Sequence, residues 1–123
     1  MARILSIEDD ADLQQVFAYV LTKKGWNVTY AYDGKDGLEK AIELKPNLIL
    51  LDMMLPGLNG LEVIKALKEN TATRAIPIVV MTAYPGDEHF LKSSILAMGA
   101  VEYLAKPVHI DTLVETVERL LPH

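Results

Sequence analysis

Apolar residues are spaced along this chain in two alternating ways. Short aliphatic runs give way to stretches in which apolar positions recur every third or fourth residue, and the pair of patterns then repeats. The first spacing belongs to strands and the second to amphipathic helices. Arg3 to Ile7 reads as a first strand. Asp9, Asp10, Ala11 and Asp12 follow, acids suited to the positive end of a helix dipole, and Leu13, Val16, Phe17, Val20 and Leu21 then form one stripe. Lys23, Lys24 and Gly25 close that helix, with cations near its negative end and then a residue free to turn left-handed. Asn27 to Ala31 is a second strand, Asp33-Gly34 a turn or cap, and Leu38, Ala41 and Ile42 a short helix ending before Pro46. Leu48-Ile49-Leu50-Leu51 is apolar without a break, as a strand covered on both faces must be. Beyond a Pro-Gly and Asn-Gly loop, Leu61, Ile64 and Leu67 mark a third helix. Pro77 to Met81 is another unbroken apolar strand. Phe90, Leu91, Ile95 and Met98, stopped by Gly99, mark a fourth helix. Val101 to Leu104 is the fifth strand, and Leu113, Val114, Val117, Leu120 and Leu121 lie on the apolar face of a last helix.

Alternation of five strands with five helices predicts an α/β fold: a doubly wound five-stranded parallel sheet, helices on both faces, joined by right-handed crossovers. The flavodoxin-like strand order 2-1-3-4-5 fits this pattern. No linker, internal repeat or low-complexity tail interrupts the chain, so residues 1–123 are expected to form a single domain.

Composition narrows the partners. Half of the residues are hydrophobic and 24% are charged, enough for a real core. The net charge of -5 argues against direct nucleic-acid binding, which needs clustered Lys and Arg. The absence of cysteine excludes disulfides and thiolate metal sites. No apolar run is long enough to span a bilayer, and Met1-Ala2-Arg3 leads straight into the first strand without a secretory signal. A cytoplasmic protein without membrane contact is expected.

In open parallel sheets ligands bind beyond the carboxyl ends of the strands. There the first strand carries Glu8, Asp9 and Asp10, the third Asp52, the fourth Thr82, and the fifth Lys106-Pro107. Each has an ordinary reading when taken alone. The first acids would serve as helix caps, Asp52 as a turn residue, Thr82 as a strand end and Lys106 as a solvated charge. Their convergence on one edge is what those readings leave unexplained. Several carboxylates at one point repel each other unless a cation sits among them. With only hard oxygen donors and an incomplete cage, that cation is of the Mg2+ kind, which keeps several waters and accepts a phosphate oxygen. Lys106 adds a second positive charge and Thr82 a hydroxyl. Together they make an electrostatic cradle for a phosphoryl group, with a carboxylate as nucleophile.

The segments I-E-D-D (Ile7 to Asp10), L-L-D-M-M-L-P-G-L-N-G (Leu50 to Gly60), V-V-M-T-A (Val79 to Ala83) and Y-L-A-K-P (Tyr103 to Pro107) resemble, in that order, those of the response-regulator receiver family of two-component systems. The resemblance covers nearly the whole chain. It implies that Asp52 is the phosphoacceptor, and that Mg2+ is held by Asp9 directly, Glu8 mainly through water, Asp52, and the backbone carbonyl of Met54. Asp10 falls outside the acidic pair and starts the helix. Thr82 matches the switch hydroxyl, Ala83 offers its N–H to the phosphoryl group, Lys106 contacts the phosphoaspartate, and the peptide before Pro107 is expected to be cis. Tyr103 matches an aromatic switch position that rotates inward when Thr82 moves. The implied partners are a histidine kinase or phosphotransfer protein upstream and a downstream protein or fused output domain, with a phosphorylation-dependent dimer as one form of output. The chain would catalyse its own aspartyl phosphorylation and dephosphorylation without being an enzyme in the ordinary sense. No output domain follows Leu121, which suits either a stand-alone receiver or a domain of a longer regulator or hybrid kinase. Met54 and Tyr84, two residues beyond Asp52 and Thr82, are expected to shield the acyl phosphate from water and lengthen its life.

Rival readings fit less well. A phosphatase of the haloacid-dehalogenase class also uses a strand-end Asp but carries a second Asp two residues later, where this chain has Met54. A flavodoxin needs a Ser-, Thr- and Gly-rich phosphate loop after the first strand, where this chain is acidic. A receiver-like module that only binds protein would not need the full set of site residues.

Overall fold

The computed structural model of the chain describes residues 2–83 and 88–121, and of 88–90 the backbone only. Ten elements alternate as β1 (Arg3–Ile7), α1 (Ala11–Lys23), β2 (Asn27–Ala31), α2 (Gly34–Leu44), β3 (Leu48–Asp52), α3 (Gly60–Glu69), β4 (Ile78–Thr82), α4 (Glu88–Ala97), β5 (Glu102–Ala105) and α5 (Ile110–Leu120). The strands form one sheet in the order β2-β1-β3-β4-β5, every neighbouring pair parallel. This is the α/β architecture and strand order that the sequence pattern predicts.

The burial of each strand follows from its place in the sheet. Central β3 and β4 are buried at every position, whereas edge strand β2 is fully buried only at Ala31. Side chains alternate between two cores. Leu5, Ile7, Ile49, Leu51, Ile78 and Val80 pack beneath α2, α3 and α4, while Ile4, Leu48, Leu50, Val79 and Met81 pack with Phe17 and Leu21 of α1 and Leu113 and Val117 of α5.

Local chemistry sets the helix ends. The Asp10 carboxylate caps α1 by accepting from the N–H groups of Asp12 and Leu13 at 3.0 and 3.1 Å, so the Asp9–Asp12 run is divided between a cap and whatever Asp9 does. Asp33 caps α2 through the Asp36 N–H, and Asn59 with Glu62 forms a reciprocal capping box on α3. Gly25, at φ +89°, provides the left-handed turn after α1.

The structure departs from the sequence pattern in two ways. Strands β4 and β5 each begin one residue later than expected, at Ile78 and Glu102. Several helix stripes are also rotated. Val16, Ile42 and Leu61 are exposed, while Gln14, Ala18, Gly37, Val63 and Thr116 are buried. Small or polar residues take positions where the helix lies too close to the sheet for a large side chain, and the pattern of large apolar residues cannot show this. Phe90 is among the side chains outside those described.

Gly34, the first residue of α2, shows how close the elements come. A Cβ there would stand 2.1 Å from the carbonyl oxygen of Leu58, a backbone atom that has no rotamer to move to. Gly34→Ala is therefore expected to lower unfolding stability by about 1–3 kcal/mol, as forced overpacking does. Urea denaturation of the two proteins checks this.

Candidate functional site

Strand register brings the chemistry together. Ile7 lies beside Leu51 in the β1–β3 pairing, so the next residues, Glu8 and Asp52, leave the sheet side by side at its carboxyl edge. That point is where the strand order reverses, with β2 on one side of β1 and β3 on the other. Open α/β sheets place their ligand crevice there. Carboxylate oxygens of Glu8, Asp9 and Asp52 all lie within 4.8 Å of one another. Glu8 is fully buried and Asp52 is 4% exposed, while Asp9 is open to solvent.

The fifth strand completes the cluster. Lys106 follows β5, and its stem reaches past the end of β4 so that Nζ donates to Glu8 Oε1 and, at 3.0 Å, to Asp52 Oδ2. Its backbone N–H also donates to the carbonyl of Thr82 at 3.0 Å, which ties the ends of β4 and β5. The remaining oxygens of the two buried acids are held locally: Asp52 Oδ1 accepts from the Met54 N–H and Glu8 Oε2 from the Asp9 N–H, each at 3.0 Å. The Lys106–Pro107 peptide is cis.

Two buried carboxylates share one ammonium, and the charge balance is incomplete. Burial, with the Asp52 carboxylate alongside, pushes the Glu8 carboxyl up from 4.5 to about 8, and Lys106 opposes this only in part. Burial alone would pull the Lys106 amine down, but the hydrogen bonds and charges of Glu8 and Asp52 outweigh it and hold the amine above its usual range.

The other expected site residues stand at different distances from this cluster. Thr82 ends β4 with its hydroxyl buried and without a hydrogen-bond partner among the described residues, and exposed Ala83 follows it. Met54 contributes its backbone at the site while its side chain is 62% exposed. Tyr103 lies in β5 with its ring buried in the core beneath α2, α3 and α4, away from the acids in the packing. Tyr84 lies outside the described residues. An apolar hollow lined by Leu13, Phe17, Ala83, Pro107 and Val108 opens next to Lys106.

One buried residue at this edge escaped the sequence reading. Gln14, 1% exposed at the base of α1, points its amide at the loop that carries Glu8. Its signal was a polar residue in phase with Phe17 and Leu21, at three- and four-residue steps along one helix face.

Comparison with known proteins agrees with this arrangement. The family model described as Response regulator receiver domain matches residues 4–118. The chain belongs to the response regulator receiver family. Response regulator ArlR of Staphylococcus aureus is 36% identical over 121 residues, which cover 98% of this chain and 53% of that protein. The chain thus spans about half the length of the curated relatives it resembles. Among solved structures, the chemotaxis response regulator CheY4 of Vibrio cholerae superposes with a TM-score of 0.89 at 30% identity, over 98% of this chain and 99% of that one. The signal receiver domain of a signal transduction histidine kinase from Syntrophus aciditrophicus superposes at 0.88 with 25% identity, over 98% of this chain and 90% of that one. The receiver fold and the acidic cluster of this chain are thus those of two-component signalling. Among the described residues no helix is long and apolar enough to cross a membrane.

The raised Glu8 carboxyl has a consequence for stability. Below pH 4.5 Glu8 is protonated folded or unfolded. Between 4.5 and about 8 the unfolded chain sheds the proton that the folded chain keeps, so Glu8's contribution falls as pH rises through this window and is flat above it. In chelator, urea midpoints of the parent should carry this downward component from pH 5 to 8. Glu8→Gln should remove it, and a parallel pair of curves would show that Glu8 titrates normally.

Proposed function

We propose that the chain is a phosphoacceptor switch in which Asp52 receives a phosphoryl group from the phosphohistidine of a histidine kinase or phosphotransfer protein, or from a small donor such as acetyl phosphate. One observation carries this reading: the Lys106 ammonium sits on two buried carboxylates at the reversal point of the sheet, with the unpartnered Thr82 hydroxyl on the neighbouring strand end. A purely structural ion pair would not call for a third carboxylate and an unused buried hydroxyl beside it.

The donor set fits a hard divalent cation. It is all carboxylate oxygen, gathered within one ion's reach, and one member, Asp9, faces solvent where water ligands can remain. On this reading Asp9, Asp52, the Met54 carbonyl and, through water, Glu8 hold Mg2+, which when bound neutralises charge on the transferring phosphoryl oxygens. The Asp52 carboxylate then attacks phosphorus. A P–O bond forms to Asp52 as the P–N bond of phosphohistidine, or the P–O bond of acetyl phosphate, breaks, and the leaving group keeps the electron pair. Lys106 offers its ammonium to the phosphoryl oxygens, and Thr82 Oγ1 and the Ala83 N–H donate to the same group. Positioning and charge carry the catalysis. Water attacks phosphorus in line to regenerate the carboxylate, so the chain catalyses both its charging and its discharge.

The output is a change of surface. Movement of Thr82 toward the phosphoryl group vacates room beneath β4 and β5, Tyr103 adjusts with it, and the altered face near α4 and β5 meets a downstream protein, a fused output domain or a second copy. The hollow beside Lys106 offers the phosphohistidine-bearing partner an apolar seat next to Asp52. A kinase partner of this kind places the chain in the cytoplasm.

Incubation with acetyl phosphate and Mg2+ should add the mass of one phosphoryl group to the parent and none to Asp52→Asn. Retention of the increment in that variant would overturn the assignment. Thermal and urea unfolding give an independent check. Mg2+ at about a hundredfold excess over its dissociation constant should stabilise the parent by roughly 2.7 kcal/mol and should stabilise Asp9→Asn less. A parent indifferent to Mg2+ would remove the metal from the reading.

A further inference from the structure

The Gln14 side chain, the one large polar group on the buried face of α1, meets three backbone carbonyls. Its Nε2 donates to the oxygens of Ser6 at 2.9 Å, Glu8 at 3.1 Å and Ala31 at 3.1 Å. Two N–H hydrogens thus serve three acceptors from the ends of β1 and β2. The opposite orientation would set the amide oxygen against three carbonyl oxygens, so the acceptors fix which way the group points. Its Oε1 is left buried without a partner among the described residues, a cost that an apolar side chain would not incur. The backbone N–H of Gln14 makes the first turn of α1 by donating to the Asp10 carbonyl, so the amide is anchored to a rigid helix base.

The target of this amide is informative. The Glu8 carbonyl and the Asp9 N–H belong to one peptide plane. Gln14 holds the carbonyl end, and the N–H end donates to Glu8 Oε2. The residue at the other side of the node is held too, since the Glu8 N–H donates to the Ala31 oxygen that Gln14 shares. The orientation of this plane therefore sets which Glu8 oxygen is occupied locally and which one faces Lys106.

We propose that Gln14 is a positioning residue whose amide fixes the Glu8–Asp9 peptide plane and, through it, aims the acidic pair at Asp52. Its role toward a metal rests on the phosphoacceptor reading above; its role in holding the peptide does not. Gln14 touches neither the phosphoryl group nor the ion. Its loss should therefore raise the Mg2+ concentration needed and leave the rate at saturating Mg2+ close to that of the parent.

Gln14→Met keeps the stem and volume and removes the donors. In chelator, hydrogen exchange followed by NMR should show the Glu8 and Asp9 amides exchanging at least tenfold faster, with Ile49 and Leu51 of β3 unchanged. Calorimetric titration with Mg2+ should show severalfold weaker binding, and phosphorylation by acetyl phosphate should recover at saturating Mg2+. Gln14→Asn, which retracts the amide by one methylene, should show the same changes in smaller degree and carries the comparison if the Met variant does not fold. Unchanged exchange at Glu8 and Asp9, or acceleration equally large in β3, would overturn the proposal, as would failure of both variants to fold. A parent that takes up no phosphoryl group would instead overturn the phosphoacceptor reading while leaving the exchange comparison intact.

Discussion

A single ammonium group stands between two carboxylates that have almost left water. At such separations like charges in a protein interior repel by several kcal/mol, on the order of 4 kcal/mol at 4 Å for an effective dielectric constant near 20. Glu8 and Asp52 can share an edge of the sheet only because Lys106 Nζ bonds to both, and even then the Glu8 carboxyl is pushed up to about 8. Much of the surrounding architecture serves this contact. The parallel register sets the acids side by side, the β4–β5 backbone bond fixes the origin of the lysine stem, and the local N–H groups of Met54 and Asp9 occupy the oxygens that the lysine does not reach.

The same contact makes the site responsive. A cluster with a deficit of positive charge is receptive to a cation, and a buried acid pair held by one mobile side chain has a second arrangement within reach. On the phosphoacceptor reading, the lysine that holds the carboxylates before transfer is the group that meets the phosphoryl oxygens after it. The exchange of one anionic partner for another needs little backbone movement, which fits a rigid sheet with change confined to loop ends and to β4 and β5.

The fold was legible in the sequence because its strongest signals are periodic. Leu48 to Leu51 and the aliphatic residues from Ile78 to Met81 can only be strands buried on both faces, and the helices between them follow from spacing and caps. The cluster of Glu8, Asp9, Asp52 and Lys106 was legible because strand ends converge in a parallel sheet. The phase of several helices was not. Val16 and Leu61 look like core by composition, and Gly37 and Thr116 do not, because the sequence does not record how close a helix axis lies to the sheet. Gln14 was missed for a related reason. Its partners are backbone carbonyls, which every residue carries and no motif can display.

The Lys106 contact also has a history along the chain. It joins residues 98 and 54 positions apart, so closing it costs loop entropy that only the assembled sheet repays. Translation delivers the acids first and the amine last. A nascent chain that has released β1 and β3 from the ribosome carries both carboxylates with nothing to neutralise them, and a copy clipped before β5 stays in that condition. Such fragments hold the acceptor aspartate but no cradle around it. The ability to take a phosphoryl group is thereby made conditional on a finished fold, and partial copies do not divert phosphoryl groups from the intact protein.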